Sequence, residues 1–186
     1  MIVLFLAAGF EEVEALTPLD YLRRAGVTVK TVGVGGKTVT GAHGIPVTAD
    51  LSETELRPEQ VEGVILPGGM PGTKNLEASQ TVQETLDRCA AAGLMIAAIC
   101  AAPSVLGHKG LLAGKRATCF PGFEADCVGA VMTEGPAVTD GNIITARGAG
   151  CATSFAAAII TAIQGQAAAR KVLQDVQWDH ERHTCI

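Results

Sequence analysis

The segment GLMIAAICAAPS, residues 93–104, decides how the rest of the chain is read. It runs apolar from Leu94 to Ile99, reaches one cysteine at Cys100, then turns small and meets Pro103. A short apolar run between a glycine and a proline reads as a buried strand feeding a helix. Runs of the same kind occur at Ile2–Ala8, Val27–Val34 and Val61–Pro67, and segments of helical character lie between them. Continuous apolar strands alternating with helices are the pattern of a parallel sheet covered on both faces. The expected fold class is therefore α/β: a flavodoxin-like three-layer sandwich with a mostly parallel central sheet and small added hairpins.

Helices are expected over Glu11–Arg24, Thr81–Ala92, Ser154–Ile163 and Gln166–Gln177, the last two parted by Gly165. Pro18 interrupts the first, and Thr17 as a cap with Pro18 at the first position predicts a restart and a kink there. Two hairpins are expected. One lies in GGKTVTGAHGIPVTAD, residues 35–50, and the other in AVTDGNIITA, residues 137–146, where Asp140-Gly141 is the turn signal.

At 186 residues and 48% hydrophobic, the chain can build one sizeable core, and a single domain over 1–186 is the expectation. Its formal net charge of −5 supplies no basic field, which argues against nucleic acid as a primary partner. The opening MIVLFLAAG lacks a basic flank and meets Glu11 and Glu12 at once, so it reads as a first strand rather than a signal peptide. No apolar run approaches the ~20 residues of a membrane span. A cytoplasmic protein is expected. The six cysteines form no C-x-x-C pair and no set with zinc spacing, so no metal site is expected and most are free, buried thiols.

In an open α/β sheet the ligand crevice lies beyond the carboxyl ends of the strands, where strand order reverses. With the first, third and fourth strands as neighbours, AAGFEEVE (7–14), LPGGMPG (66–72) and AAICAAPS (97–104) converge there. The first stretch brings Glu11, Glu12 and Glu14, which either complement a helix dipole or pass protons beside a thiol. The second brings Gly68 and Gly69, where a backbone can approach a ligand closely. The third brings Cys100 at a strand-to-helix turn, where a helix N-terminus would lower the thiol pKa. The Ala101 N–H, with Gly69 as second donor, would face an oxyanion. Neither a G-x-G-x-x-G nor a P-loop motif occurs, which argues against nucleotide binding. For Cys119 and Cys151, buried packing is the simpler reading, with a resolving role left open.

Four stretches make the chain resemble the ThiJ/PfpI superfamily, in its branch of parkinsonism-associated deglycases and their bacterial relatives. They are GFEEVEALTPLDYLRRAG (9–26), GVILPGGMPGTKNL (63–76), AAICAAPSVL (97–106) and ITARGAGCATSFAAAI (144–159). The resemblance implies a cofactor-free homodimer whose reactive cysteine is Cys100, whose partner carboxyl is Glu14, and whose oxyanion amides are Gly69 and Ala101. It adds Arg24 and His43 as basic residues near the substrate. Human-type members carry a histidine where this chain has Phe120, which becomes a candidate wall of the site instead. Peptidase-type members carry a histidine after the cysteine, where this chain has Ala101, so a peptidase or amidase lacks its base. His108, His180 and His183 read as satisfied or solvated. The implied substrate is a small reactive carbonyl, a 2-oxoaldehyde such as methylglyoxal. The alternative is an oxidation sensor with a chaperone-like role that uses a Cys100 sulfinate.

Overall fold

The computed structural model describes residues 1–178. Its centre is a seven-stranded sheet built from β1 (Ile2–Leu6), β2 (Val29–Gly33), β5 (Leu51–Ser52), β6 (Gly63–Leu66), β7 (Met95–Ile99), β10 (Ala137–Asp140) and β11 (Ile143–Ala146). The spatial order is β10-β11-β7-β6-β1-β2-β5, and every pairing is parallel except β10 with β11. β1, β6 and β7 are thus adjacent, as the sequence requires for its three loops to meet.

The strands are apolar throughout because both faces are buried. Val3, Phe5 and Ala7 of the first strand point into one core, and Ile2, Leu4 and Leu6 into the other. In β7, Ile96 and Ala98 share the first core, while Ala97 and Ile99 share the second. This is the two-residue period of a strand read against two layers of helices. The first core is covered by α2 (Gly72–Ala78), α3 (Gln80–Ala91) and α4 (Pro103–His108), through residues such as Leu76, Leu86 and Leu106. The second is covered by α1 (Glu12–Arg24), α5 (Ala152–Gln164) and α6 (Gln166–Asp175), through Leu22, Phe155, Ile159 and Val172. The result is the expected three-layer sandwich. No helix among the described residues is long and apolar enough to cross a membrane.

Three details differ from expectation. α1 runs through Pro18 as one helix and starts at Glu12, with no restart at Thr17. Pro18 is buried against the core, and that packing outweighs the hydrogen bond its missing N–H cannot make. The second hairpin turns one residue late. Asp140 pairs with Ile143, so Gly141 (φ +61°) and Asn142 form the loop, which fits glycine at the first turn position. A parallel ribbon of β8 (Arg116–Ala117) and β9 (Val131–Met132) went unforeseen, because two-residue strands carry no period. The first hairpin forms as expected, from β3 (Thr38–Thr40) and β4 (Pro46–Thr48). Cys185, His180 and His183 lie outside the described residues.

The loop after β1 is pressed against α2. Gly72 N–H donates to the Gly9 carbonyl at 3.1 Å, and a side-chain carbon at Gly72 would fall 2.6 Å from the Phe10 nitrogen. Gly72→Ala is therefore expected to destabilise the fold by about 1–3 kcal/mol, read as a drop in the urea midpoint at constant m-value.

Candidate active site

Cys100 stands just past β7, where the backbone must leave the strand and enter α4. It does so with φ +66°, a left-handed conformation that costs a non-glycine residue on the order of 1–3 kcal/mol. Two hydrogen bonds hold it there. Its N–H donates to the Ala146 carbonyl at the end of β11 at 2.9 Å, and its carbonyl accepts the Phe120 N–H at 2.8 Å. The side chain is partly exposed, and the backbone amides of Ala101 and Gly69 donate to its sulfur. Gly69 is itself left-handed at φ +89°.

Glu14 enters from the first turn of α1 and is almost fully buried, at 1% exposure. Its Oε2 accepts the Gly68 N–H at 2.9 Å, its Oε1 is buried without a hydrogen-bond partner, and the carboxyl lies against the Cys100 thiol. Gly68 is where these groups meet. A side-chain carbon there would fall 2.6 Å from both the Cys100 Cβ and Glu14 Oε2.

The electrostatics correct one expectation. The thiol pKa is raised, not lowered. Burial comes first, then the Glu14 charge and its hydrogen bond, and these push Cys100 up to about 12 against the pull of the Ala101 and Gly69 amides. α4 starts only at Pro103 and spans six residues, so its dipole is too short and too distant to reverse this. Burial likewise pushes Glu14 up to about 7, against hydrogen bonds from Cys100 and Gly68. Near neutral pH the thiol keeps its proton and the carboxyl is about half ionised. The ionised form is a base in contact with the proton it would take, at a pKa suited to that task. One negative charge is tolerated in this dry corner, but two are not.

The other carboxylates have different work. Glu12 is buried and accepts the His43 and Ile45 N–H groups at 2.9 and 3.3 Å. Burial acts to raise its pKa, but these bonds and the His43 ring outweigh it and hold the carboxyl below its usual range. Glu11 contributes its N–H to the Gly68 carbonyl at 2.9 Å. His43 sits exposed, its Nδ1 3.0 Å from Glu12 and 3.5 Å from Glu11. Those three side chains put one donor atom each within 4.8 Å of one another and are the described groups able to share a cation. Cysteine and histidine spacing could not reveal a set that the hairpin assembles. The Glu12 oxygens, however, are already engaged by the loop they fasten.

Phe120 lies beside Cys100 through its backbone bond to the Cys100 carbonyl, with its side chain about half exposed. Arg24 does not join the site within the chain. It lies ten residues along α1 from Glu14, roughly 15 Å, and pairs with Asp20 at 2.7 Å on the surface. The described histidines are engaged elsewhere: His43 as above, His108 with Glu77 at 2.6 Å and Asp126 at 3.5 Å. Neither bonds Cys100, so the peptidase reading gains no base. Arg147 was missed. It follows β11 directly, and it lines a cavity of about 250 Å³ with Thr118, Cys119, Pro121 and Glu124. Extending the strand-end rule to β11 would have found it.

A sequence profile of the DJ-1/PfpI family matches residues 1–162. The chain belongs to the DJ-1/PfpI family. One DJ-1/PfpI relative, protein dj-1beta of Drosophila melanogaster, is 35% identical over 173 residues, covering 91% of this chain and 92% of that protein. A deglycase of Pyrococcus horikoshii is 31% identical over 150 residues, covering 79% of this chain and 90% of the relative. Among solved DJ-1 structures, the oxidized protein of Toxoplasma gondii superposes with a TM-score of 0.92 at 30% identity, covering 96% of this chain and 98% of that one.

Glu14 also links the site to stability. Its folded pKa of about 7 lies above the ordinary 4.5 of a glutamate, so the folded state holds the extra proton between them. Its contribution to stability is full below about pH 4.5 and is lost as pH rises through 7, by about 3 kcal/mol. Glu14→Gln is expected to melt above the wild type at pH 8, with the gap closing toward pH 5. Alkylation of Cys100 in the wild type should accelerate through about pH 7, and the variant should lack that inflection.

Proposed function

We propose that this DJ-1/PfpI protein is a cysteine enzyme acting on 2-oxoaldehydes, converting methylglyoxal to lactate with Cys100 as nucleophile. The observation that carries the reading is a buried carboxyl with a pKa of about 7 against a partly exposed thiol. The amides of Gly69 and Ala101 flank that sulfur. The deglycase name of the Pyrococcus relative points to the same carbonyl class.

In the proposed sequence, ionised Glu14 takes the Cys100 proton as the sulfur attacks the aldehyde carbon. The hemithioacetal oxygen then lies beside the two amides, which need no reorganisation to bind it. Glu14, now protonated, returns its proton and takes the one on the former aldehyde carbon. Delivering it to the neighbouring carbon, while the hydroxyl proton passes from the first oxygen to the second, turns the adduct into the thioester of a 2-hydroxy acid. Water cleaves the thioester and releases the acid and the thiol. Phe120 offers an apolar wall for the substrate's methyl group. The protein works as a homodimer with no added cofactor in this reading.

A second reading has a specific support. The amides and carboxyl that would hold an oxyanion would also hold sulfinate oxygens on Cys100, and a solved relative is an oxidized one. Turnover separates the two. Cys100→Ser is expected to lower lactate formation from methylglyoxal by at least about 10³-fold, and Glu14→Gln by about 10²–10⁴-fold, with circular dichroism unchanged. Wild-type turnover in Cys100→Ser would overturn the enzyme reading. Negligible turnover in the wild type, with two oxygens gained at Cys100 under mild peroxide, would favour the sensor.

A further inference from the structure

Beyond the Cys100 site, the described residues contain a pair of thiols that the proposed chemistry does not use. Cys119 and Cys127 are separate in sequence, unbridged and nearly fully buried, at 5% and 2% exposure. They belong to the same core, and their side chains hydrogen-bond to each other. The segment between them makes this meeting possible. Phe123 N–H donates to the Phe120 carbonyl at 3.1 Å, and Cys127 N–H then reaches the Phe123 and Glu124 carbonyls at 3.3 and 3.2 Å. The chain curls on itself and returns Cys127 to the Cys119 side chain.

Cys119 is reachable from outside. Cys119 lines the 250 Å³ cavity whose other walls include Thr118, Pro121, Glu124 and Arg147. It is also tied to the active site on both sides. The residue after Cys119 donates its N–H to the Cys100 carbonyl, and the Cys127 backbone packs on Gly107 of α4, where a side-chain carbon would fall 2.6 Å from the Cys127 Cα.

We propose that Cys119 and Cys127 are a redox dithiol, which closes to a disulfide when a peroxide-class oxidant enters the cavity. Cys119, the sulfur that lines the cavity, attacks a peroxide oxygen as its proton passes to the Cys127 thiolate. The O–O bond breaks, water leaves and a sulfenic acid remains. The second sulfur attacks the first, the S–S bond forms, and the sulfenic hydroxyl leaves as a second water. Two thiols and one hydrogen peroxide thus yield one disulfide and two waters. The mutual hydrogen bond favours the first step. It draws Cys127 below the usual thiol range, with Cys119 keeping the proton and held correspondingly high, against burial and the nearby Asp126 and Glu124. His108, bonded to Asp126, is the nearby group that assists when protonated. The sulfenic acid that forms is already against its partner sulfur, which makes closure faster than further oxidation.

The test uses the whole protein treated with a few equivalents of hydrogen peroxide, alkylated, and cleaved at Glu124 between the two cysteines. The expected result is that the two fragments stay joined, lighter by two hydrogens, and separate on treatment with a thiol reductant. The link should form equally in Cys100→Ser, and should be absent in Cys119→Ser and Cys127→Ser. Fragments that separate without reductant, while Cys100 in the same sample has gained oxygen, would overturn the proposal. So would a link that requires Cys100. Neither failure bears on turnover of 2-oxoaldehydes, since neither thiol takes part in it.

Discussion

A carboxyl group buried against a sulfur is the constraint on which the site is built. Taken out of water, Glu14 keeps only one strong donor, the Gly68 N–H, and leaves Oε1 without a partner. An ionised carboxylate so placed is expensive, which is why its pKa rises into the neutral range and why the thiol beside it rises further. The corner therefore changes its charge by one proton near pH 7. That single proton has a defined route, between a carboxyl oxygen and a sulfur. The geometry leaves no room for a side chain at residue 68, so the glycine is part of the contact and not merely a turn.

The surrounding fold carries the cost of this arrangement. Cys100 adopts a left-handed conformation and Glu14 sits in a nearly dry pocket, and neither is stable in isolation. Both are over-determined by neighbours. Cys100 is clamped at its amide by β11 and at its carbonyl by Phe120. Glu14 is fixed by a helix whose Leu22 packs on the core beneath β1. The two apolar layers supply the surplus that lets one corner hold unfavourable groups, a common relation between cores and sites.

Glu11, Glu12 and Glu14 show how little the residue type decides by itself. All three lie within the start of one helix, where a dipole argument treats them alike. Their environments separate them. Glu14 faces inward to Cys100 and has its pKa raised. Glu12 faces the first hairpin, fastens residues 41–45 through two backbone amides, and has its pKa lowered. Glu11 braces the glycine loop through its own N–H. The stretch around Phe120 makes a similar point. It connects the cavity beside Arg147 and the two buried thiols to the Cys100 carbonyl.

The family resemblance singled out Glu14. The strand-and-helix alternation, the adjacency of β1, β6 and β7, and the convergence of Cys100, Gly69 and Ala101 with the Glu11–Glu14 stretch were legible in the residue order. Each rests on a local signal: an apolar run with its stop, or a small residue at a strand end. What only the tertiary structure decided are quantities summed over many distant contacts. The thiol's acidity went opposite to its local helix signal, because burial and a carboxylate from another element outweigh two amides. Pro18 stayed inside a helix because core packing overrides backbone preference. Arg24 faced solvent, the Glu11–Glu12–His43 group formed across a hairpin, and Cys127 returned to Cys119 around a turn. Periodicity records which face a residue takes within its own element; desolvation and through-space charge depend on what the other elements bring to that face, and one-dimensional order does not contain it.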